Sequence, residues 1–389
     1  MIRKAIISEL GRVVTGNTPP RNQPKLYGDY TPFIKATDIS ENEKHTYFPE
    51  EAYSESAHKK YIRSLIPKGS TCVVTIGSIG KKMTMAHCDC FINQAMNAII
   101  PNEHFDNEYV YYAVKNALGN LKALDSGTAS GRENVSKSAF SKMEVTITDD
   151  IILQRKIGSI LATYDDLIES NRKQIKLLEE AAQRLYKEWF VDLRFPGHEH
   201  TKIVDGVPEG WKKERLVDLA DVQYGYAFDG SLFNSKKSGM PIIRIRNIPE
   251  SKTEDYTTET ADSQYLVYNG DIVVGMDGEF HINSWAGDTA YLVQRTCRIK
   301  PLNTDLNGFL LWAIYEPIKY FERTVVGATV AHLAKKHIDT IKILVPTEKF
   351  YMPFKTLFDK RLLLMNQNKK LAEARDRLLS KLMSAEEEV

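Results

Sequence analysis

Residues 151–192 read IILQRKIGSILATYDDLIESNRKQIKLLEEAAQRLYKEWFVD, a stretch without proline whose one glycine is Gly158. Leu161, Ile168, Ile175, Ala182 and Trp189 recur every seventh residue, with Ile157, Tyr164, Leu178 and Leu185 between them. That interval keeps one stripe of an α-helix apolar and marks a coiled-coil seam. The spacing predicts a single long helix. Leu357, Leu364, Leu371 and Leu378 repeat the interval within residues 350–383. A shift of 196 lays one seam on the other: Leu161 on Leu357, Ile168 on Leu364, Ile175 on Leu371 and Ala182 on Leu378. Two long helices therefore close two halves of one chain. The carboxylate doublets Asp165-Asp166 and Glu179-Glu180 read as a hydrated face. Arg361, Asn368 and Arg375 stand seven apart beside the second seam and read as a flank left for a partner.

The halves repeat outside the helices as well. At a shift of 209, Leu10, Val13 and Gly16 meet Leu219, Val222 and Gly225, and Pro32-Phe33-Ile34-Lys35 meets Pro241-Ile242-Ile243-Arg244. At 201, Gly69 and Gly77 meet Gly270 and Gly278; at 200, Gln94, Pro101 and Gly127 meet Gln294, Pro301 and Gly327. The shift drifts in small steps, as loop deletions in a duplicated domain would produce. Each half alternates short Val-, Ile- and Thr-rich runs with Gly, Pro and Asn, which reads as strands in a mixed α/β domain. One short helix per half is expected, at 107–118 and 306–321, with Asn107 and Asn307 as caps. The domain order is then 1–150, a helix over 151–195, a second domain over 196–347 whose first residues, 196–211, are a linker, and a closing helix over 348–389.

Composition bounds the function. At 389 residues the chain suits two or three domains. Its longest apolar run, residues 309–315, is far too short for a membrane span, no secretory leader is evident, and four cysteines without a disulfide-like framework fit the cytoplasm. A net charge of +1 means that any nucleic acid would be met by local basic patches or with a partner's help.

Enzyme chemistry finds little support. Asn17-Thr18-Pro19-Pro20 is followed by Arg21, where a base-flipping adenine methyltransferase needs an aromatic residue. The glycines of Gly77-Ser78-Ile79-Gly80-Lys81 are too close for a P-loop. Cys72 with His87-Cys88-Asp89-Cys90 lacks structural zinc spacing, so no metal is expected.

The ordered set resembles the specificity (S) subunit of type I restriction–modification systems over the whole chain. In each half a Leu-to-Gly strand leads to a polar loop and an Ile-rich strand ending in a polar triplet, here Leu10 to Gly16, Asn17-Thr18-Pro19-Pro20 and Phe33-Ile34-Lys35-Ala36-Thr37-Asp38. A Gly-led strand and Gly loop follow at 69–80 and 270–280, then Asn93-Gln94 or Gln294-Arg295, and a Gly loop into the last strand at 127–148 and 327–346. Trp189-Phe190 and Pro208-Glu209-Gly210-Trp211 are similar too, although Ser70-Thr71 replaces the usual Asp-Ile and the first half lacks a Pro-Glu-Gly-Trp.

The resemblance implies two mixed α/β target recognition domains, separated by a pair of long antiparallel coiled-coil helices with a pseudo-two-fold repeat. It implies a non-enzymatic subunit that reads double-stranded DNA. Two methyltransferase subunits would dock on the helices, with restriction subunits joining through them, and S-adenosylmethionine, ATP and Mg would belong to those partners. A coiled-coil protein scaffold, or a self-contained methyltransferase or nuclease, is the competing reading. A helix of this length, about 60 Å, could set two domains one or two DNA turns apart. Arg, Lys, Asn and Gln read bases, while Lys, Arg, Ser and Thr hold phosphates. The candidates are Lys35, Thr37, Asp38, Ser78, Lys81, Lys82, Arg132, Asn134 and Lys137 in the first half. In the second they are Arg244, Arg246, Asn247, Asp277, Glu279, His281, Asn283, His332, Lys335 and Lys336, with Arg244 and Arg246 expected side by side on one strand face.

Overall fold

The computed structural model describes residues 2–127, 131–324 and 331–384, and forms two compact units. Unit 1 is Met1–Glu169 with Lys370–Val389; unit 2 is Ser170–Lys369. The division cuts both long helices, so each unit owns half of each. Gly327 lies outside the described residues.

The strands of unit 1 are β1 (Ile2–Ile6), β2 (Gly11–Thr15), β3 (Tyr27–Gly28), β4 (Thr31–Ile34), β5 (Glu51–Tyr53), β6 (Thr71–Val74), β7 (Met83–Met85), β8 (Phe91–Ile92), β9 (Met96–Pro101) and β10 (Glu144–Thr148). They form sheets ordered β2-β9-β6-β7 and β3-β5-β4-β8, and the pair β1-β10. Most pairs are antiparallel; β4 and β8 run parallel, with Phe33 opposite Phe91. The four-residue strand β6, Thr71-Cys72-Val73-Val74, is buried along its whole length between two antiparallel neighbours. Between β9 and β10 lies α1 (Asn107–Ala117). Its cap is Asp106, one residue before the expected Asn107: the Asp106 carboxylate accepts from the Tyr109 amide at 3.0 Å.

Helix α2 (Ile151–Tyr186) opens at Asp150, whose carboxylate accepts from the Ile152 and Leu153 amides, and ends in a widened turn at Lys187–Val191.

Unit 2 repeats the plan. After a short hairpin of Ile203–Val204 with Val207–Pro208, its strands are β11 (Lys212–Arg215), β12 (Ala220–Tyr224), β13 (Phe233–Asn234), β14 (Met240–Ile243), β15 (Tyr256–Thr257), β16 (Leu266–Val267), β17 (Ile272–Gly275), β18 (Ile282–Ser284), β19 (Ala290–Leu292), β20 (Thr296–Pro301) and β21 (Lys342–Val345). The sheet β12-β20-β17-β18 matches β2-β9-β6-β7, and β11-β21 matches β1-β10. The second sheet, β13-β15-β14-β19-β16, gains an edge strand but keeps the parallel pair, with Ile243 opposite Leu292. The expected helix over 306–321 is broken into α3 (Asn307–Ala313) and α4 (Tyr315–Thr324). Pro317 has no amide to donate to the Ala313 carbonyl, and as the third residue of α4 it sits in a first turn, where none is needed. The last helix is α5 (Glu348–Ser384).

In unit 1 the core joins α1, the β-sheets, Ile157, Leu161 and Ala162 of α2, and Leu379, Leu382 and Met383 of α5. In unit 2, Ala182 of α2 shares a core with Phe350, Phe354 and Phe358 of α5, with Phe309 and Leu310 of α3, and with Trp211. Of the expected seam, Leu161, Ile168, Ala182 and Leu364 are buried, while Ile175, Leu357, Leu371 and Leu378 are half-buried.

Two readings of the seam are corrected. Asp165 is not on a hydrated face, and Arg361 and Arg375 do not mark a flank left open; all three are buried in the helix pair. In unit 1 the Arg375 guanidinium donates to Asp165, which also accepts from the Tyr112 hydroxyl at 2.7 Å. In unit 2 Arg361 donates to Glu179 at 2.7 Å, and to Ser284 and Asn283 at 2.6 Å. Asn171 donates to Asn368 at 2.9 Å. An Arg at a heptad position lies in the stripe when the facing helix supplies an acid at the same level, because the pair is then neutralised as it is buried.

Candidate nucleic-acid interface

In both units the same loop ends are tied together by backbone hydrogen bonds. In unit 1 the Asn17 amide donates to Ile92, Asn93 to Ile34, Thr75 to Ala95, Gly77 to Glu133 and Val135 to Thr75. In unit 2 Tyr226 donates to Leu292, Val293 to Ile243, Met276 to Arg295, Gly278 to Ala331 and Leu333 to Met276. Single-residue bridges Ile76–Asn134 and Asp277–His332 close the two sets. The repeated glycines explain themselves here. A Cβ on Gly16 would stand 2.2 Å from the Asn93 carbonyl oxygen, and one on Gly225 would stand 2.0 Å from that of Val293.

These ends gather many of the sequence candidates. Thr37, Ser78, Lys81, Arg132 and Lys137 are exposed in unit 1, and Lys82 and Asn134 are half-buried. Lys35 is held between Glu50 and Glu51, with Nζ at 2.5 and 3.0 Å, which raises its pKa. Asp38 accepts from the Lys35 amide at 2.8 Å, and burial raises its pKa despite that bond. In unit 2, Glu279, Lys335 and Lys336 are exposed, Lys335 beside Asp339 at 3.2 Å, and His281 stands 3.5 Å from Glu279. His332 and Asp277 meet at 2.5 Å.

Three expectations need revision. β14 stops at Ile243, and Ile245–Asn247 is a turn of 3-10 helix, so Arg244 and Arg246 do not share a strand face. Arg244 lies over the Phe233 ring at 5.9 Å, whereas Arg246 pairs with Asp255 at 2.7 Å. The strand ends because the Asn247 side chain accepts from the Arg244 amide at 2.8 Å and closes a turn. Asn247 is thus the counterpart of Asp38, a capping residue. Asn283 is buried too; its amide donates to the Ile248 and Pro249 carbonyls and its oxygen accepts from Arg361.

The loop after β2 is fixed rather than open. Arg21 pairs with Glu51 at 2.7 Å and lies 4.8 Å over the Tyr27 ring, and the Tyr27 hydroxyl donates to the Pro19 carbonyl at 2.6 Å. Cys72 is buried in the core and its thiol is pushed up to about 12. Among the described residues no three His, Cys, Asp or Glu side chains converge, and no helix is long and apolar enough to cross a membrane.

Sequence reasoning missed three exposed residues at these ends. Gln94 and Gln294 sit at the equivalent turns before β9 and β20, and Arg295 follows Gln294. They were visible only as landmarks of the repeat.

Comparison with known proteins gives this architecture its class. The model of the type I restriction modification DNA specificity domain matches residues 4–180 and 208–350, once in each half. The chain therefore belongs to the family of type I restriction–modification specificity subunits. It is similar to the type I restriction enzyme MjaIX specificity subunit of Methanocaldococcus jannaschii, 25% identical over 98% of this chain and 92% of that protein. It also matches the EcoBI specificity subunit of Escherichia coli, 32% identical over 36% of this chain and 30% of that protein. The crystal structure of a type I restriction–modification S subunit from M. genitalium shares the fold, with a TM-score of 0.58 and 15% identity over 98% of this chain and 96% of that one.

Proposed function

We propose that this subunit reads an asymmetric bipartite DNA target, one half-site per unit, and catalyses nothing itself. One observation carries the reading: the two units share sheet order and loop-end hydrogen bonds but present different side chains there. A common frame with divergent polar tips suits two half-sites of different sequence. S-adenosylmethionine, ATP and Mg would be held by the partner subunits.

Two methyltransferase subunits would dock on the helices and carry the restriction subunits. Leu167 and Leu363, 196 apart, are both exposed, at 48% and 57%. Repeat-related exposed leucines suit two copies of one partner. Leu167→Asp or Leu363→Asp should each remove one methyltransferase copy, read by native mass spectrometry; retention of both would refute the docking. Four residues inserted between Leu177 and Leu185 add about 6 Å of helix and should lengthen the unread spacer by one or two base pairs. The deciding experiment is co-expression with the methyltransferase and genome-wide mapping of modified adenines. A two-part motif is the expected result, and modification without sequence preference would sink the reading.

A further inference from the structure

We propose that Arg295 is a base-reading residue of unit 2, positioned by Asp277. The proposal rests on the DNA-reading function above and names the residue that performs it in one half-site. The Arg295 Nε lies 3.3 Å from Asp277 Oδ2, Asp277 Oδ1 lies 2.5 Å from His332 Nδ1, and that nitrogen is 3.3 Å from Arg295 Nη1. One carboxylate thus bridges the two bases, with its contact to the arginine at the Nε edge. The arginine itself remains 51% exposed. A guanidinium held at that edge by a carboxylate keeps terminal N–H donors for a planar acceptor pair, and has already given up much of its rotamer freedom. Guanine presents such a pair, O6 and N7, in the major groove.

The backbone supports the same assignment. Arg295 has φ of +73°, a region that residues other than glycine seldom adopt, and its carbonyl accepts from the Met276 amide at 2.9 Å. A strained, hydrogen-bonded backbone fixes where the side chain starts.

Unit 1 supplies an internal control. The Thr75 amide donates to the Ala95 carbonyl as the Met276 amide does to that of Arg295, and Ile76 bridges Asn134 as Asp277 bridges His332. The backbone positions of Asp277, Arg295 and His332 are therefore occupied in unit 1 by Ile76, Ala95 and Asn134. A group needed only to hold the fold would be needed in both units. The bridging carboxylate and its two basic partners occur in one.

The test uses the full chain in complex with its methyltransferase and a randomised DNA duplex pool. The wild-type complex should enrich a two-part motif. Arg295→Ala should lose preference at one base pair of one half-site, by on the order of 10- to 100-fold, and leave the other half-site unchanged. Arg295→Lys, which keeps the charge and loses the planar fork, should relax the same base pair while binding almost as tightly. Asp277→Asn should relax that base pair too, with an unchanged melting temperature. Uniform weakening on every sequence would make Arg295 a phosphate contact and overturn the proposal, as would an unaltered motif in both Arg295 variants. A wild-type complex that enriches no motif would instead overturn the DNA-reading function itself.

Discussion

The two units solve the same crossing with opposite residues. In unit 1 the long helix supplies the glycine: a Cβ on Gly158 would stand 2.9 Å from the Glu108 Cβ and 3.0 Å from the Tyr109 amide of α1. In unit 2 the short helix supplies it: a Cβ on Gly308 of α3 would meet the Phe354 carbonyl oxygen of α5 at 2.2 Å. The shifts of 196 and 200 place Gly158 with Phe354 and Glu108 with Gly308. Duplication has kept the close approach and not the residue, because only one of two crossing backbones needs to lack a side chain.

The ionic layers differ in the same instructive way. Asp165 and Arg375 are 2% and 8% exposed, and the pair is extended by Tyr112 and by Lys115, 3.9 Å away. Burial works against the Arg375 charge, but Asp165 and Asp376 more than offset it, so its pKa stands above the ordinary range. In unit 2 Arg361 is equally buried, yet Glu179 is 36% exposed, and Ser284 and Asn283 share the guanidinium. A shift of 196 carries Asp165 to Arg361 and Glu179 to Arg375. The acids therefore sit on α2 and the arginines on α5. Each helix paired with a copy of itself at that level would set like charges together.

These contrasts can be broken in order of size. Arg375→Ala strands Asp165 in a dry seam and should cost about 3–5 kcal/mol by denaturant unfolding; a loss below 1 kcal/mol would show that water reaches the layer. Gly308→Ala forces a Cβ against backbone at 2.2 Å and should cost about 2–3 kcal/mol, and Gly158→Ala about 1–2 kcal/mol, since its nearest contact is 2.9 Å away. Reversal of that order would mean that the crossing in unit 1 is the tighter one.

Lys115 gives a pH signature to unit 1. Burial pulls its ammonium down to about 8, against the opposing pull of Asp165, from an ordinary 10.5. Above pH 8 the folded chain has released this proton while the unfolded chain still binds it. This site contributes about 2 kcal/mol of stability between pH 8 and 10, against the loss as the thiols and tyrosines that burial keeps protonated ionise in the unfolded chain. Lys115→Met should remove that contribution, so its melting temperature should fall more steeply than the parent's over this interval. The smallest effect belongs to unit 2: Glu179→Ala should cost about 1 kcal/mol or less, because solvent reaches the carboxylate and Arg361 keeps two other acceptors. The charge reversal Glu179→Arg with Arg361→Glu should stay within about 1 kcal/mol of the parent; a far larger loss would make Asn283 and Ser284 the true partners of Arg361.

Much of the scaffold was legible. Period-seven apolar residues marked both long helices, and Gly16, Gly225, Gln94 and Gln294 marked repeated turns whose backbone bonds proved equivalent. The site was legible only as a set of loops. Lys35 looked like a free DNA-binding candidate because its two carboxylate partners, Glu50 and Glu51, come from β5 and the residue before it. Asn283 looked like a reader because the helix that uses it lies far along the chain.

Sequence by itself thus determined the duplication, the helix pair and which loops are shared, because periodicity and repeat order are properties of one strand of chain. Only tertiary structure decided that Asp165, Arg361 and Arg375 are interior, that β14 ends before Arg244, and that Arg295 meets Asp277 and His332. Those facts depend on which charge or carbonyl arrives from elsewhere, and burial of a charged group is favourable only once its partner is in place.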